Sequence, residues 1–326
     1  MPVPGQRRAS DNNVALSIEI GGSQATIALV DDGGRVRQRR YAKMLWNRPP
    51  NATLEPCLHA VDDTLAEARA SHLRVRGLGF ALPGSLDLTS RRPTVIPALP
   101  ALNHFPLADL LEARYGLPVT LRVDVDAAAL GEYYFGIGRG FRRLLLLSAN
   151  AVVGASLIID GQVEPAQQEY VGHICHLPIS SSGPRCSCGK RGCINTLVTL
   201  DALQKTLQRA LRRGEQTSLL RRLNNRERFS LQLLAEEAEA GDTVASQIYG
   251  EVSRWLGTAT TRYIDTFEPN ALILGGIFST SKLLLATIRR TLDSHSSTRV
   301  CSMVEIATAT LGQDAPLLGA VVELLA

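Results

Sequence analysis

The chain has 326 residues, of which 45% are hydrophobic and 20% charged, so it is long enough for two domains and has an ordinary globular composition. Its 35 basic and 31 acidic residues give a formal charge of +4, too small to indicate a nucleic-acid partner. It has no long apolar run for a membrane span, and the polar N-terminus lacks the apolar core of a signal peptide. We therefore expect a cytoplasmic protein without a membrane partner or a direct nucleic-acid partner.

The first part of the chain predicts three antiparallel strands in succession. The first two cover residues 14–19 and 25–31, and the third follows an Asp/Gly hairpin connection and runs through about Tyr41. A dinucleotide-binding unit needs a helix directly after its first strand, so this order argues against one. We interpret the arginines of the third strand as a solvated edge: Arg35, Arg37, Arg39 and Arg40.

Strands and helices alternate along the remainder of the chain, which is the pattern of an α/β protein. The predicted strands lie at residues 76–81, 117–123, 143–148, 154–159, 271–274 and 303–309. The predicted helices lie at residues 53–70, 107–115, 127–136, 200–212, 230–239, 242–267 and 280–294, with a last helix from Asp314.

A cysteine-rich segment, residues 172–193, carries the strongest chemical signal. Cys186, Cys188 and Cys193 have the spacing C-x-C-x4-C, and His173 precedes them. Three thiolates and one imidazole are the tetrahedral ligand set of a structural zinc ion, so we predict Zn²⁺ bound by these four residues. His176 is an alternative to His173 as the histidine ligand. We call residues 172–193 the knuckle.

The same segment resembles a known family. Its G-H, followed by C-x-C-G-x-x-G-C, is similar to the zinc motif of the ROK family, which contains bacterial sugar kinases and sugar-responsive repressors. The resemblance runs from about Val14 to the C-terminus and implies a homodimer and a two-lobed α/β fold, the actin-like ATPase (sugar kinase / ribonuclease H-like) fold with a zinc knuckle. Under it we expect a disordered tail at residues 1–13, an N-terminal lobe at 14–123 joined by the last helix, 314–326, and a C-terminal lobe at 124–313 that contains the knuckle.

The resemblance also implies a catalytic base and three phosphate-binding segments. The base of the family kinases corresponds to Asp124. Each phosphate segment departs from the family pattern, with Gln24 in place of a lysine, Val152 in place of a glycine and Ile277 in place of another glycine. We therefore expect ATP and Mg²⁺ to bind only if kinase activity is retained. The cofactor-binding residues implied are Gly21, Gly22, Ser23, Gly154, Gly275 and Gly276.

The sugar-binding positions depart most from the family. Two family asparagines correspond to Ala98 and Val123, and two family glutamates correspond to Tyr170 and Asn195. A pocket built to bond sugar hydroxyls loses affinity steeply when its polar partners are replaced. The substrate-binding candidates that remain are Asn103, Asp124, Tyr170, His173 and Asn195.

These observations leave three functional interpretations open. The first is a carbohydrate-related binding or regulatory protein with weak or no kinase activity. The second is an active ATP-dependent sugar kinase, for a hexose or amino sugar, that uses Asp124 as its base. The third is a sugar-responsive transcriptional regulator, which we expect to need a partner for DNA contact because only thirteen residues precede Val14.

Overall fold

The computed structural model describes residues 12–326 except 22, 46, 97–98, 150–152, 165–173, 187, 281 and 296–302. The described chain divides into two compact units. The first comprises residues up to Gly140 together with Asp160–Val163 and Thr310–Ala326. The second comprises Phe141–Ile159 and the described part of residues 164–309.

Both units are built from a β-sheet and helices. The strands are β1 Asn13–Ile20, β2 Gln24–Asp31, β3 Val36–Lys43, β4 Arg74–Leu82, β5 Ser85–Asp87, β6 Arg92–Val95, β7 Val119–Val123, β8 Arg143–Ala149, β9 Val153–Ile159, β10 Gln162–Val163, β11 Ala271–Gly276 and β12 Glu305–Thr308. The helices are α1 Pro50–Ala70, α2 Leu107–Tyr115, α3 Asp124–Phe135, α4 Asn195–Val198, α5 Leu200–Arg212, α6 Leu219–Asn224, α7 Leu231–Glu239, α8 Thr243–Phe267, α9 Lys282–His295, α10 Ala315–Ala320 and α11 Val322–Leu325.

The sheet of the first unit has the strand order β3-β2-β1-β4-β7. β1 pairs antiparallel with β2 and parallel with β4, and β4 pairs parallel with β7. Both faces of β1 are covered: Leu16 packs in the core that contains Leu54 of α1, and Ala15 packs with Leu317 of α10. A strand buried on both faces must be apolar at nearly every position, which explains the run V-A-L-S-I in the sequence.

Within the second unit the strands of the sheet have the order β9-β8-β11-β12. β8 pairs antiparallel with β9 and parallel with β11, and β11 pairs parallel with β12. Its main core lies where Leu145 and Leu272 pack with Leu256 of α8. Asp242 caps the first turn of α8 by accepting a 2.8 Å hydrogen bond from the Ala245 amide, so this long helix starts at a defined residue.

Helix α3 belongs to the first unit, whereas the sequence analysis began the second lobe at Asp124. The physical reason is a close crossing of α3 and α10 through small residues. An added Cβ at Gly319 of α10 would lie 1.7 Å from the Ala127 carbonyl oxygen, and one at Gly131 of α3 would lie 2.2 Å from the Ala315 carbonyl oxygen. Only glycine allows the two backbones to approach this closely, so α3 is fixed against α10.

Among the described helices, none combines the length and the low polarity that a membrane span requires.

Candidate functional site

The knuckle brings four potential metal ligands together in the second unit. The ligand atoms of His176, Cys186, Cys188 and Cys193 all lie within 4.8 Å of one another. The Nδ1 atom of His176 lies 3.2 Å from Sγ of Cys186, and the sulfurs of Cys188 and Cys193 lie 3.6 Å apart. We call these four side chains the His/Cys cluster.

These distances suit a tetrahedral zinc ion. Zn–S bonds of about 2.3 Å place two sulfurs of a tetrahedron about 3.8 Å apart, close to the observed separation. Burial raises the pKa of the Cys193 thiol to about 12, and hydrogen bonds and charge interactions with Cys186 and Cys188 act in the same direction. The donor set and its spacing therefore fit Zn²⁺, which would hold these thiols in their ionised form.

The backbone of the knuckle depends on glycine at one tight position. Gly192 has φ of 60°, and a Cβ there would lie only 1.8 Å from the Ser180 carbonyl oxygen. The Gly192 carbonyl accepts the Ile179 amide, and the Gly192 amide donates to the Pro184 carbonyl. The C-x-C-G-x-x-G-C pattern is thus a geometric requirement of the loop that carries three of the ligands.

The histidine of the cluster is His176, the alternative named in the sequence analysis. His173, the first choice, lies outside the described residues, as do the sugar-site candidate Tyr170 and the glycine Gly22. The spacing of the motif does not separate the two histidines. Cys175, between them, is partly buried against the core of the second unit.

A cluster of acidic groups lies in the first unit around the predicted base. Asp124 is the first residue of α3, and its Oδ1 accepts a 2.7 Å hydrogen bond from the Val125 amide. Glu19, near the end of β1, interacts electrostatically with Asp124, Asp314 and Arg39, and Arg39 is ion-paired with Asp314. The structure therefore groups Asp124 with Glu19, the carboxylate of the first phosphate segment.

Both carboxyl groups are perturbed in the same direction. Burial raises the pKa of Glu19 to about 7, and the charges of Asp124 and Asp314 add to this rise while Arg39 opposes it. Burial likewise raises the pKa of Asp124 to about 6, opposed by its hydrogen bond from the Val125 amide. A carboxyl group that titrates near neutral pH is suited to accept a proton from an alcohol.

The phosphate-segment glycines lie in turns and adjacent strands. In the first segment, the Gly21 amide donates to the Gln24 carbonyl at 2.9 Å, and the Ser23 carbonyl accepts the Met44 amide. In the second unit, Gly154 of β9 and Gly275 of β11 pair with Ser148 from opposite sides. The two glycines thus flank Ser148 of β8, and Gly276 follows Gly275 on β11. Residues 150–152, where the family pattern is lost, lie outside the described chain.

Two substrate-site candidates use their side-chain oxygens on backbone amides. Oδ1 of Asn103 accepts a 2.7 Å hydrogen bond from the Ile96 amide, closing the loop between them. Oδ1 of Asn195 accepts a 2.9 Å hydrogen bond from the Val153 amide. Each of these oxygens therefore uses one of its two lone pairs within the protein and holds a loop or strand end in place.

Two residues near the acidic cluster had no functional interpretation in the sequence analysis. Arg39, assigned there to a solvated edge, is ion-paired with Asp314 and interacts with Glu19. Glu132 is fully buried, and its carboxyl oxygens accept hydrogen bonds from the amides of Thr310, Leu311 and Ile137. Arg37 and Arg39 are two residues apart on β3, a spacing that predicts side chains on the same face of the strand. No sequence pattern predicts that Glu132 bonds to the amides of Thr310, Leu311 and Ile137.

Comparison with known proteins decides the family. The model of the ROK family matches residues 15–325. The chain belongs to the ROK family. This confirms the family predicted from the knuckle, and the two mixed sheets of this ROK protein have the fold of ROK sugar kinases.

The relatives include both enzymes and a regulator. The ROK protein is 24% identical to the glucokinase of Thermotoga maritima over 306 residues, covering 94% of this chain and 95% of that enzyme. It is 25% identical to the DNA-binding transcriptional dual regulator NagC of Escherichia coli over 287 residues, covering 86% of this chain and 68% of the regulator. The ROK family glucokinase from Streptomyces griseus, solved in complex with glucose and AMPPNP, has a TM-score of 0.73 and 26% identity, covering 95% of this chain and 98% of that one.

Proposed function

We propose that this ROK protein is a carbohydrate-related binding or regulatory protein that transfers phosphate from ATP weakly or not at all. The observation that carries the proposal is the replacement of two family asparagines by Ala98 and Val123, together with the use of the Asn103 and Asn195 oxygens on backbone amides. A sugar site needs polar groups that are free to pair with hydroxyls, and each lost pairing costs affinity.

Weak nucleotide binding is supported by the phosphate segments. Gln24 removes the cation that the family places after its first glycine pair, and Ile277 follows Gly276 where the family has a third glycine. Backbone amides approach phosphate closely only where no side chain intervenes, so these replacements reduce the favourable contacts to ATP. The Glu19 carboxylate could still bind the Mg²⁺ ion of ATP·Mg²⁺, since Mg²⁺ is commonly held by one or two carboxylates plus substrate phosphates.

The His/Cys cluster is proposed to hold a structural Zn²⁺ with His176, Cys186, Cys188 and Cys193 as ligands. The metal would stabilise the knuckle and take no part in chemistry, because four protein ligands leave no open position for a substrate or water. We further propose a homodimer located in the cytoplasm, on the ground of the family resemblance and the composition.

A second function is favoured by the acidic cluster. The raised pKa of Asp124, about 6, is that of a general base suited to a neutral cell, and Glu19 lies within its electrostatic range. In an active sugar kinase, Asp124 would take the hydroxyl proton while the sugar oxygen bonds to the γ-phosphorus and the bond to the ADP oxygen breaks.

Calorimetric titration of the purified protein with ATP·Mg²⁺ and with glucose, mannose and N-acetylglucosamine distinguishes the two proposed functions by their ligand affinities. We expect millimolar or weaker ATP affinity, and tighter ATP binding in the double variant Ala151→Thr/Val152→Gly, which restores the family pattern. A matched control is Ala240→Thr, at an exposed position after α7, which should leave ATP affinity unchanged. Micromolar ATP binding by the unmodified protein would contradict the eroded-site proposal and favour the kinase.

A further inference from the structure

The side chain of Asn195 joins the knuckle to the start of strand β9. Asn195 is the first residue of α4 and lies two positions after Cys193, a member of the His/Cys cluster. Its Oδ1 accepts the Val153 amide at 2.9 Å across 42 residues of sequence. One hydrogen bond therefore links a metal-ligand loop to the strand that follows the β8–β9 connection, residues 150–152.

The chain between Cys193 and Asn195 leaves little freedom for this link to move. The Cys193 carbonyl accepts both the amide and the hydroxyl of Thr196, each at 2.8 Å. The Ile194 amide donates to the Leu177 carbonyl at 3.0 Å, next to His176 of the cluster. At the other end, the Asn195 carbonyl accepts the Thr199 hydroxyl at 3.0 Å. A displacement of Cys193 must therefore move Asn195 with it.

The partner of Asn195 is a group that needs an acceptor. Val153 is 1% exposed, so without Asn195 its amide loses its side-chain acceptor in a site with little access to solvent. A buried amide without an acceptor is strongly unfavourable, so the start of β9 depends on the Asn195 side chain. Val153 adjoins Gly154, the glycine of the second phosphate segment.

We propose that Asn195 couples metal occupancy of the His/Cys cluster to the stability of the first residue of strand β9, Val153. The metal would fix the position of Cys193, and the hydrogen bonds of Cys193 with Thr196 fix the turn that contains Asn195. Asn195 in turn accepts the hydrogen bond of the Val153 amide, the first amide of β9. The proposal rests on the proposed metal occupancy of the cluster and not on ATP binding.

Hydrogen exchange at the Val153 amide, read by NMR in the full chain, tests this coupling. In the zinc-loaded protein we expect Asn195→Ala to speed exchange at Val153 about tenfold or more, the loss expected for a buried hydrogen bond. Asn195→Asp keeps an acceptor oxygen and should keep the protection. The matched control is Asn224→Ala, which changes an exposed asparagine at the end of α6. In this variant the hydrogen-exchange rate of the Val153 amide should equal that of the unmodified protein.

The decisive comparison adds a zinc chelator to each protein. Removal of the metal should speed exchange at Val153 in the unmodified protein and add little at Val153 in Asn195→Ala, while the Leu272 amide in β11 stays protected. If the metal is removed and Val153 remains protected, the coupling is wrong although the zinc site stands. If metal analysis finds no bound metal in the purified protein, both the zinc site and the coupling are wrong.

Discussion

The carboxyl group of Glu132 is a fully buried hydrogen-bond acceptor of the first unit. Oε1 accepts the amides of Thr310 and Leu311, each at 2.8 Å. Oε2 accepts the Ile137 amide at 3.2 Å and the Thr310 hydroxyl at 3.1 Å. The change to make is Glu132→Ala.

The magnitude follows from these four hydrogen bonds. Three of the donors are backbone amides, and a buried donor left without a partner costs about 1–3 kcal/mol. Ile137 and Thr310 are exposed and Leu311 is half-buried, so water can satisfy part of what these amides lose. We therefore expect Glu132→Ala to lose about 2–3 kcal/mol of the free energy of unfolding. Glu132→Gln keeps the shape but presents an NH₂ group to one pair of donors, so we expect a loss of about 1–2 kcal/mol.

Urea denaturation followed by far-UV circular dichroism measures the loss, and hydrogen exchange at the Thr310 and Leu311 amides localises it. Glu251→Ala, an exposed glutamate on α8, is the control and should change stability by no more than about 0.5 kcal/mol. A loss below about 1 kcal/mol in Glu132→Ala, with both amides still protected, would refute the assignment of Glu132 as an anchor of this segment.

Three further predictions test the two clusters. In urea titrations at pH 8, Asp124→Asn should raise the free energy of unfolding by about 1–3 kcal/mol, and this gain should vanish below about pH 4. The reason is that the raised pKa of Asp124 makes the folded protein lose stability as the pH rises through about 4 to 6. An equal gain at both pH values would contradict this. Cys188→Ser should lower bound zinc from about one per chain and destabilise the knuckle, and metal analysis with a thermal melt checks both. Gly192→Ala should lower the Tm and weaken zinc binding because its Cβ would clash with the Ser180 carbonyl oxygen. The control is Gly214→Ala, at a glycine that also has positive φ but has open space around it, and this variant should bind zinc as the unmodified protein does. Equal effects of the two changes would contradict the proposed clash with Ser180.

The strands and long helices could be predicted from the sequence because their hydrophobic pattern is continuous. Helices α2 and α5 begin and end where the sequence analysis placed them, and β1 differs by one residue at each end. Helix α6 was missed because six residues span too few turns to show a period. The hairpin of β5 and β6 was also missed, since strands of three and four residues show no alternation.

The start of α3 shows why boundaries are harder than elements. The sequence predicts a strand that ends at residue 123 and a helix that begins at residue 127. In the structure Val123 is extended and Asp124 is already helical, because the carboxylates of Asp124 and Asp126 favour the positive end of a helix dipole. The boundary matters here, since it puts the predicted base in the first turn of a helix.

The candidate site was predictable in its residue types and not in its pairings. The spacing of Cys186, Cys188 and Cys193 indicates a metal site because three thiols are brought together by a short loop. The spacing leaves both His173 and His176 open as the histidine ligand, and the structure places His176 beside the three cysteines. The side chains of Asn103 and Asn195 accept hydrogen bonds from backbone amides 7 and 42 residues away, so no local sequence pattern predicts these bonds.

The phosphotransfer rate tests the central claim most directly. The purified, zinc-loaded protein is incubated with γ-labelled ATP, Mg²⁺ and glucose, mannose or N-acetylglucosamine, beside the Asp124→Asn variant. The account predicts sugar phosphate at or near background for each sugar, with any residual turnover lost in Asp124→Asn, because a positioned base contributes about 10²–10⁴-fold. Turnover of about 10 per second or more, the rate of an ordinary enzyme, would contradict the proposal that the ATP and sugar sites are eroded.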